Sequence, residues 1–197
     1  FIRIIRSLYL WPLGIALPIA TIVWGLMLDP IDGLFNSIIG VFGIPPQPFL
    51  ISEHQALWCI IGIATWKGVA FWMLFLLAGL EDIPKQYYEA ASIDGAKTFD
   101  KFRFVTLPLL RRTILFVFVA DTAANFVLMV PMIILTKGGP LQSTNVLVYE
   151  AYRSGFFYQD WGRSLSIVTI LTTITLIVIG LQLLFLGDSR EGQKIKW

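Results

Sequence analysis

The chain has 197 residues, of which 56% are hydrophobic and 14% charged, with a net charge of +2 and a mean hydropathy of +0.74. Soluble domains carry about 25% charged residues, so this composition excludes a soluble globular domain and favours lipid as the solvent. The small net charge gives no sign of nucleic-acid binding. A single cysteine excludes an internal disulfide framework and a cysteine-rich metal site. We therefore predict an all-α membrane protein.

Four apolar stretches are long enough to cross a bilayer, since a core about 30 Å thick needs roughly 20 helical residues. They are Leu8–Leu28, Ala56–Leu80, Thr113–Leu135 and Ser164–Leu186. The first and third stretches contain prolines, which we expect to kink those helices while neighbouring helices satisfy the freed carbonyls. The sequence thus predicts about four transmembrane helices in one domain over residues 1–197.

The lysines and arginines outside these stretches fall mostly on one side. Eleven lie before the first stretch, between the second and third, or after the fourth, whereas three lie in the other connecting segments. Cytoplasmic segments carry the excess of basic residues in membrane proteins. We therefore predict that the N-terminus, the loop 81–112 and the C-terminal tail are cytoplasmic.

The outer segments are rich in aromatic residues near the predicted bilayer surface. Such residues are typical of an interfacial belt, and they also fit a docking surface for an external partner. They are Phe49, Trp58, Tyr152, Phe156, Phe157, Tyr158 and Trp161.

The loop 81–112 is too patterned for a simple connector. Pro84 suits the start of a short helix, which we predict over Lys85–Asp94, and Gly95 is typical of its end. A second short helix is predicted over residues 96–106, and Pro108 then begins the third membrane stretch. Two short amphipathic helices with a glycine hinge favour docking into a groove of another protein. The alternative is a helix pair lying on the lipid surface, although five acidic residues nearly balance six basic ones in this loop.

Two charged residues, Lys67 and Asp121, fall inside predicted membrane stretches, where a charge costs at least about 2.5–3.5 kcal/mol. Asp121 and Asn125 lie on one helix face, with Phe118 and Thr122 beside them. Such a polar and aromatic face suits a sugar in a transport pathway. The alternative is an ion pair of Lys67 with Asp121 that holds two helices together.

A stripe of small and hydroxyl residues follows one face of the fourth stretch. It favours close helix packing, with substrate contact as the alternative reading. The stripe comprises Gly162, Ser166, Thr169 and Thr173.

The loop also carries a series of residues that resembles a known family. Glu89-Ala90-Ala91, then Ile93–Ala96 and Thr106–Pro108, resemble the E-A-A loop of ABC-importer permeases, in particular the carbohydrate-uptake branch. Trp66–Leu80 before the loop and Thr136–Pro140 after it are similar to further parts of that family. The family's usual Asp ahead of the Gly-Gly-Pro turn is replaced here by valine at position 130.

The resemblance implies a type I ABC-importer permease in the bacterial inner membrane, a transport subunit and not an enzyme. Family members have about six helices, so this chain would be the last four, with the first two absent. The resemblance also implies two permease subunits, ATP-binding subunits that hold ATP and Mg, and an extracytoplasmic solute-binding protein. The residues it assigns to ATPase coupling are Glu89, Ala90, Ala91, Asp94, Gly95 and Pro108. No G-x-x-x-x-G-K-[ST] phosphate loop occurs in the sequence, so we expect no cofactor in this chain.

The resemblance indicates the class of transporter more directly than it indicates the substrate. Sugars and glycerol phosphates both use permeases of this pattern, and we favour a neutral sugar because an anion would require more basic groups than Lys67 in the pathway. The alternative function is an ion-coupled secondary transporter that uses Lys67 and Asp121 as a relay. Such transporters are built from repeats, and the sequence shows no internal repeat.

Overall fold

A computed structural model of the chain describes residues 9–187, which are mostly helical and contain no β-strand. The all-α prediction is therefore confirmed for this range. The five basic terminal residues used for the predicted orientation (Arg3, Arg6, Arg190, Lys194 and Lys196) lie outside it. The α-helices in this range are α1 Leu17–Met27, α2 Leu34–Val41, α3 Ala56–Glu81, α4 Lys85–Ile93, α5 Thr98–Lys101, α6 Leu107–Phe126, α7 Leu147–Tyr152 and α8 Trp161–Gly187.

The second and fourth apolar stretches form long continuous helices, as predicted. Both α3 and residues 161–185 of α8 are long and apolar enough to cross a membrane. In their most apolar parts only 17% and 6% of the residues, respectively, are buried. A core helix of a soluble protein would be mostly buried, so these helices present apolar side chains to lipid or to protein partners.

The first stretch is broken rather than kinked. A 3₁₀ turn over Trp11–Gly14 is followed by extended backbone at Ile15 and Ala16, and α1 begins only at Leu17. Pro18 lies in the first turn of α1, where its missing N–H costs no helical hydrogen bond.

The predicted bounds of the third stretch are wrong at both ends. Helix α6 begins at Leu107, because a π-helical segment over Phe102–Thr106 leads directly into it, and it ends at Phe126 instead of Leu135. A separate π-helical segment follows over Met132–Thr136, with Pro131 immediately before it. The backbone is irregular at residues 127–129, and the new helical segment begins at Val130 with Pro131 as its second residue. In that first turn the missing N–H of proline costs no helical hydrogen bond, so the stretch is divided into two segments and is not one kinked helix.

The described residues divide into two compact units, one of residues 9–70 and 125–174, the other of residues 71–124 and 175–187. In the first unit, Ile60, Met132 and Tyr149 form a buried core against which Met129 and Tyr152 pack. The prediction of one permease domain over the whole chain stays a prediction.

In the second unit, α3 and α6 approach each other closely. A Cβ atom added at Gly79 would lie 2.6 Å from Oγ1 of Thr113, so only glycine permits this approach. An aromatic cluster accompanies it, in which the rings of Phe75 and Phe116 are 5.4 Å apart and Phe75 also contacts Phe71 and Trp72.

Candidate functional site

Helix α4 forms as the sequence predicts, with its start and end set by local signals. Pro84 adopts extended backbone at the N-cap, and Asp94 is the C-cap. Gly95 follows with φ of +79°, and the N–H groups of Gly95 and Ala96 donate to the carbonyls of Ser92 and Ala91 at 3.1 and 2.9 Å. This pair of bonds is a Schellman motif, which requires left-handed backbone at the residue after the cap. The predicted glycine stop is confirmed.

The loop presents apolar side chains that the chain itself leaves uncovered. Ile93, the last residue of α4, is 87% exposed. Four aromatic side chains of the loop are also exposed: Tyr87, Phe99, Phe102 and Phe104. We call these five residues the loop surface. A cluster of this kind marks a site of contact with protein or lipid.

The residues assigned to coupling lie beside this surface. Glu89, Ala90, Asp94 and Gly95 are exposed, and Ala91 is half-buried. The second predicted helix is shorter than expected, since α5 begins at Thr98, where the carboxylate of Asp100 accepts the N–H of Lys97 at 3.1 Å. Pro108 is the second residue of α6 and is exposed.

Four predicted pathway residues lie on α6. Phe118 and Asn125 are exposed, and Thr122 donates to the carbonyl of Phe118 at 2.8 Å. The carboxylate of Asp121 accepts a hydrogen bond from the indole N–H of Trp72 on α3. These groups give α6 a polar face with hydrogen-bonding capacity and one exposed ring, which is the chemistry that a hydroxylated ligand requires.

Two residues that hold this face were not predicted from the sequence. Trp72 anchors Asp121, and the carboxamide of Gln182 on α8 donates to Oγ1 of Thr122 at 2.7 Å. The signal for Gln182 was present, because a polar side chain inside an apolar span normally faces protein or water. An indole in an apolar helix gives no comparable signal.

Lys67, the fifth predicted pathway residue, is bound to backbone carbonyls of the broken first stretch. Its ammonium donates to the carbonyls of Pro12 and Ile15 and lies 3.5 Å from that of Leu13. The carbonyl of Pro12 also accepts the N–H of Ile15 at 3.4 Å. The break before α1 takes these carbonyls out of a continuous helix, and an unsatisfied carbonyl in an apolar environment is costly. Lys67 thus supplies a charged donor at the break. The roles proposed for Lys67 and Asp121 in a pathway or as a pair stay predictions.

Replacing Lys67 by methionine is expected to destabilise the protein by about 1–3 kcal/mol, because the carbonyls lose a charged donor while the aliphatic stem is retained. Thermal unfolding of the purified protein in detergent measures this change. Lys137→Met, which removes an exposed ammonium, is the matched control, and Lys67→Arg should retain most of the stability. A Lys67→Met variant that melts with the wild type would contradict this structural role.

The segment 142–163 contains a charged cluster centred on Glu150. This carboxylate accepts from Asn145 at 2.8 Å and from Arg163, and it lies 3.7 Å from the guanidinium of Arg153. Arg153 also lies over the ring of Tyr149, 5.9 Å from its centroid. Burial raises the pKa of Tyr149, and the nearby Arg153 charge opposes that shift. The cluster fixes this segment, and its basic groups are partly neutralised by Glu150.

A pocket of about 430 Å³ lies in the first unit. Its polar wall is internally bonded, since the carboxamide of Gln55 accepts from the N–H of Phe49 and donates to Gln47, both at 2.9 Å. The remaining wall is largely apolar and aromatic and includes Trp24, Phe35 and Trp58. It places Phe49 and Trp58, two of the outer aromatic residues, around one cavity.

The hydroxyl stripe of α8 is satisfied by the helix itself. Ser166, Thr169 and Thr173 donate to the carbonyls four residues earlier at 2.8 or 2.9 Å. The exposed positions of these residues leave both packing and substrate contact as predictions.

Together, the helices long and apolar enough to cross a membrane and the exposed apolar side chains of the loop define a helical protein of the membrane class. The chain belongs to the family of binding-protein-dependent transport system inner membrane components, which it matches over residues 5–190. The predicted resemblance to ABC-importer permeases is thereby confirmed.

Individual relatives agree with this assignment. The chain is 35% identical over 181 residues to the sn-glycerol-3-phosphate transport system permease protein UgpA of Brucella suis biovar 1 (strain 1330). It is 32% identical over 182 residues to the trehalose/maltose transport system permease protein MalF of Thermococcus litoralis. In both cases the match covers 91% of this chain and 61% of the relative, so the chain spans about three fifths of the length of these proteins.

Two solved structures share the fold. One, of a bacterial ABC transporter involved in the import of the acidic polysaccharide alginate, superposes with a TM-score of 0.82 at 19% identity, over 96% of this chain and 66% of the other. The second, a bacterial alginate ABC transporter in complex with an alginate pentasaccharide-bound periplasmic protein, gives a TM-score of 0.73 at 22% identity, over 93% and 63%. These matches support the helical permease fold.

Proposed function

We propose that this chain is a membrane-spanning permease subunit of an ATP-driven importer for a sugar or a sugar-like solute. The loop 81–112 carries this proposal, because it combines a Schellman-capped helix with apolar side chains that the chain leaves exposed. The names of the relatives support the same class, since both are permease proteins of solute transport systems.

In this function, the loop docks α4 into a groove of an ATP-binding subunit, which holds ATP and Mg and hydrolyses the nucleotide. The exposed Ile93 inserts into that groove, and Glu89 and Gly95 lie beside it. Closure of the ATP-binding subunits displaces α4, and this chain and a second permease subunit then alternate between inward- and outward-facing states. A solute-binding protein delivers the substrate from outside.

The substrate pathway includes the polar face of α6. Thr122 and Asn125 supply hydrogen-bonding groups, and the exposed ring of Phe118 can stack on the C–H face of a sugar. Asp121 is held in place by Trp72. A sugar suits this mixture, because its hydroxyl groups need partners and its ring needs an apolar contact.

The loop 81–112 and the C-terminus face the cytoplasm in this proposal, and the protein lies in the bacterial inner membrane. The distribution of basic residues supports this orientation. A neutral sugar fits Lys67 as the structure shows it, because its ammonium is already engaged by carbonyls. Competition for uptake between a neutral disaccharide and glycerol 3-phosphate distinguishes the two substrate classes.

The Glu89→Ala variant tests the coupling role. The transporter complex, purified through a tag on this chain and reconstituted with its solute-binding protein, should hydrolyse ATP with little uptake when Glu89 is replaced. Glu89 is exposed, so its removal leaves the fold of the loop intact. The control Glu53→Ala, an exposed glutamate of an outer segment, should transport like the wild type. Wild-type uptake by Glu89→Ala would reject this role.

The same reconstituted system distinguishes an ATP-driven importer from the alternative, an ion-coupled secondary transporter. Uptake that continues with an uncoupler and stops without ATP supports the proposed function. Uptake that an uncoupler abolishes at constant ATP, from a chain that purifies without an ATP-binding subunit, would overturn it in favour of the relay of Lys67 and Asp121.

A further inference from the structure

A closed ring of hydrogen bonds ties α4 to the segment that precedes α6. The hydroxyl of Tyr88 lies 3.0 Å from Oγ1 of Thr106, whose own proton points to the carbonyl of Lys101 at 3.4 Å. The ammonium of Lys101 donates to Oγ of Ser92 at 2.7 Å, and Ser92 donates back to the carbonyl of Tyr88 at 2.7 Å. Because a hydroxyl has one proton, Tyr88 is the donor to Thr106. The four residues thus form one continuous cycle, which we call the loop ring.

The residues of the loop ring lie on both sides of the turn at Gly95. Two of them lie on α4, Lys101 ends α5, and Thr106 is the last residue before α6 begins at Leu107. The ring therefore spans the turn at Gly95, where a Cβ atom would have no neighbour within 4 Å. Side-chain packing does not stiffen the turn at that point, so the hydrogen bonds across it hold the two arms together.

We propose that Tyr88, Ser92, Lys101 and Thr106 are positioning residues that make α4 and the base of α6 move as one body. This inference rests on the proposed function, in which a partner displaces α4. The displacement then reaches the polar face at Asp121 along α6, a distance of about 21 Å for 14 helical residues. If the ring is broken, the turn at Gly95 absorbs the displacement and the movement of α6 is lost.

Tyr88→Phe and Thr106→Val each remove one hydroxyl from the ring and keep nearly the same shape. We expect each to lower the amount of solute transported per ATP hydrolysed about five-fold, the order of effect of one lost hydrogen bond. The complex should still assemble, because neither hydroxyl belongs to the exposed loop surface. Solute uptake and phosphate release, measured in parallel on the reconstituted complex, give this ratio.

Three further variants make the test specific. Ser92→Ala opens the ring at another point while adding the best helix-forming residue, so a fall in the ratio cannot come from a weakened α4. The double variant Tyr88→Phe with Thr106→Val should be no worse than Thr106→Val alone, because the only bond that Tyr88→Phe removes is already lost with the hydroxyl of Thr106. Thr98→Val, which removes an exposed hydroxyl elsewhere in the loop, should transport like the wild type.

The outcomes separate this inference from the function on which it rests. Failure of the wild-type chain to purify with an ATP-binding subunit would reject the proposed function. The loop ring alone would be overturned if the wild-type complex assembles and the ring variants transport as much solute per ATP hydrolysed as the wild type. It would also be overturned if the losses of the two single variants add in the double variant.

Discussion

Replacing Gly95 by proline is expected to abolish ATP-driven uptake. Gly95 has φ of +79°, whereas proline fixes φ near −65°, so the turn after α4 cannot form. Proline also removes the N–H that donates to the carbonyl of Ser92 at 3.1 Å. Both bonds of the Schellman motif depend on this backbone, and its loss would reorient α4 relative to the segment that leads into α6. Uptake by the reconstituted complex measures the effect.

A graded series at the same position separates backbone conformation from bulk. The space around Gly95 is open, so an added side chain meets no obstacle and any effect comes from φ. Asparagine tolerates left-handed backbone and should keep most of the uptake, whereas alanine, at a cost of about 1–2 kcal/mol, should fall between asparagine and proline. Uptake at the wild-type level by all three variants would show that the turn is dispensable.

The loop was predictable because its signals are local. Pro84 and Gly95 fix the ends of α4 through the backbone freedom of single residues, so the predicted helix is confirmed to within one residue. The resemblance to the permease family is also carried in part by residues close in sequence in this loop, Glu89-Ala90-Ala91 and Gly95, although the family match extends over residues 5–190. Local signals of this kind do not depend on what the remainder of the chain does.

The third stretch shows where hydropathy fails. The apolar residues continue past Phe126 to Leu135, so composition predicts one span, but α6 ends at Phe126 and a second helical segment begins at Val130, just before Pro131. Lys67 shows a related limit. Its partners are carbonyls at a helix break some 50 residues earlier, and a backbone carbonyl has no sequence signature.

The hydrogen-bonding partners on α6 were only partly accessible from sequence for the same reason. Spacing placed Phe118, Asp121, Thr122 and Asn125 on one helix, which the structure bears out. Spacing along one helix does not show which side chains of other helices contact these residues. The hydrogen bonds from Trp72 and Gln182 are therefore seen only in the structure. Their functional roles in a pathway stay predictions.

Truncating Ile93 to alanine is expected to weaken binding of the ATP-binding subunit by about 2 kcal/mol, or about 30-fold in affinity. Ile93 is 87% exposed, so the chain gains nothing from burying it, and an apolar side chain of this size contributes once a partner covers it. Alanine is a better helix former than isoleucine, so α4 is not weakened. Copurification of the ATP-binding subunit at graded concentrations, or direct titration in detergent, measures the change.

Ile31 provides a matched control, because it is 85% exposed but lies in the segment between α1 and α2, on the predicted outer side. Ile31→Ala should bind the ATP-binding subunit with wild-type affinity, since the same truncation there removes an equally exposed side chain away from the loop. An equal loss in both variants would point to a general effect on the protein. Wild-type affinity for Ile93→Ala would place the docking contact elsewhere on the loop surface, where the exposed aromatic residues Phe99 and Phe104 are the next side chains to truncate.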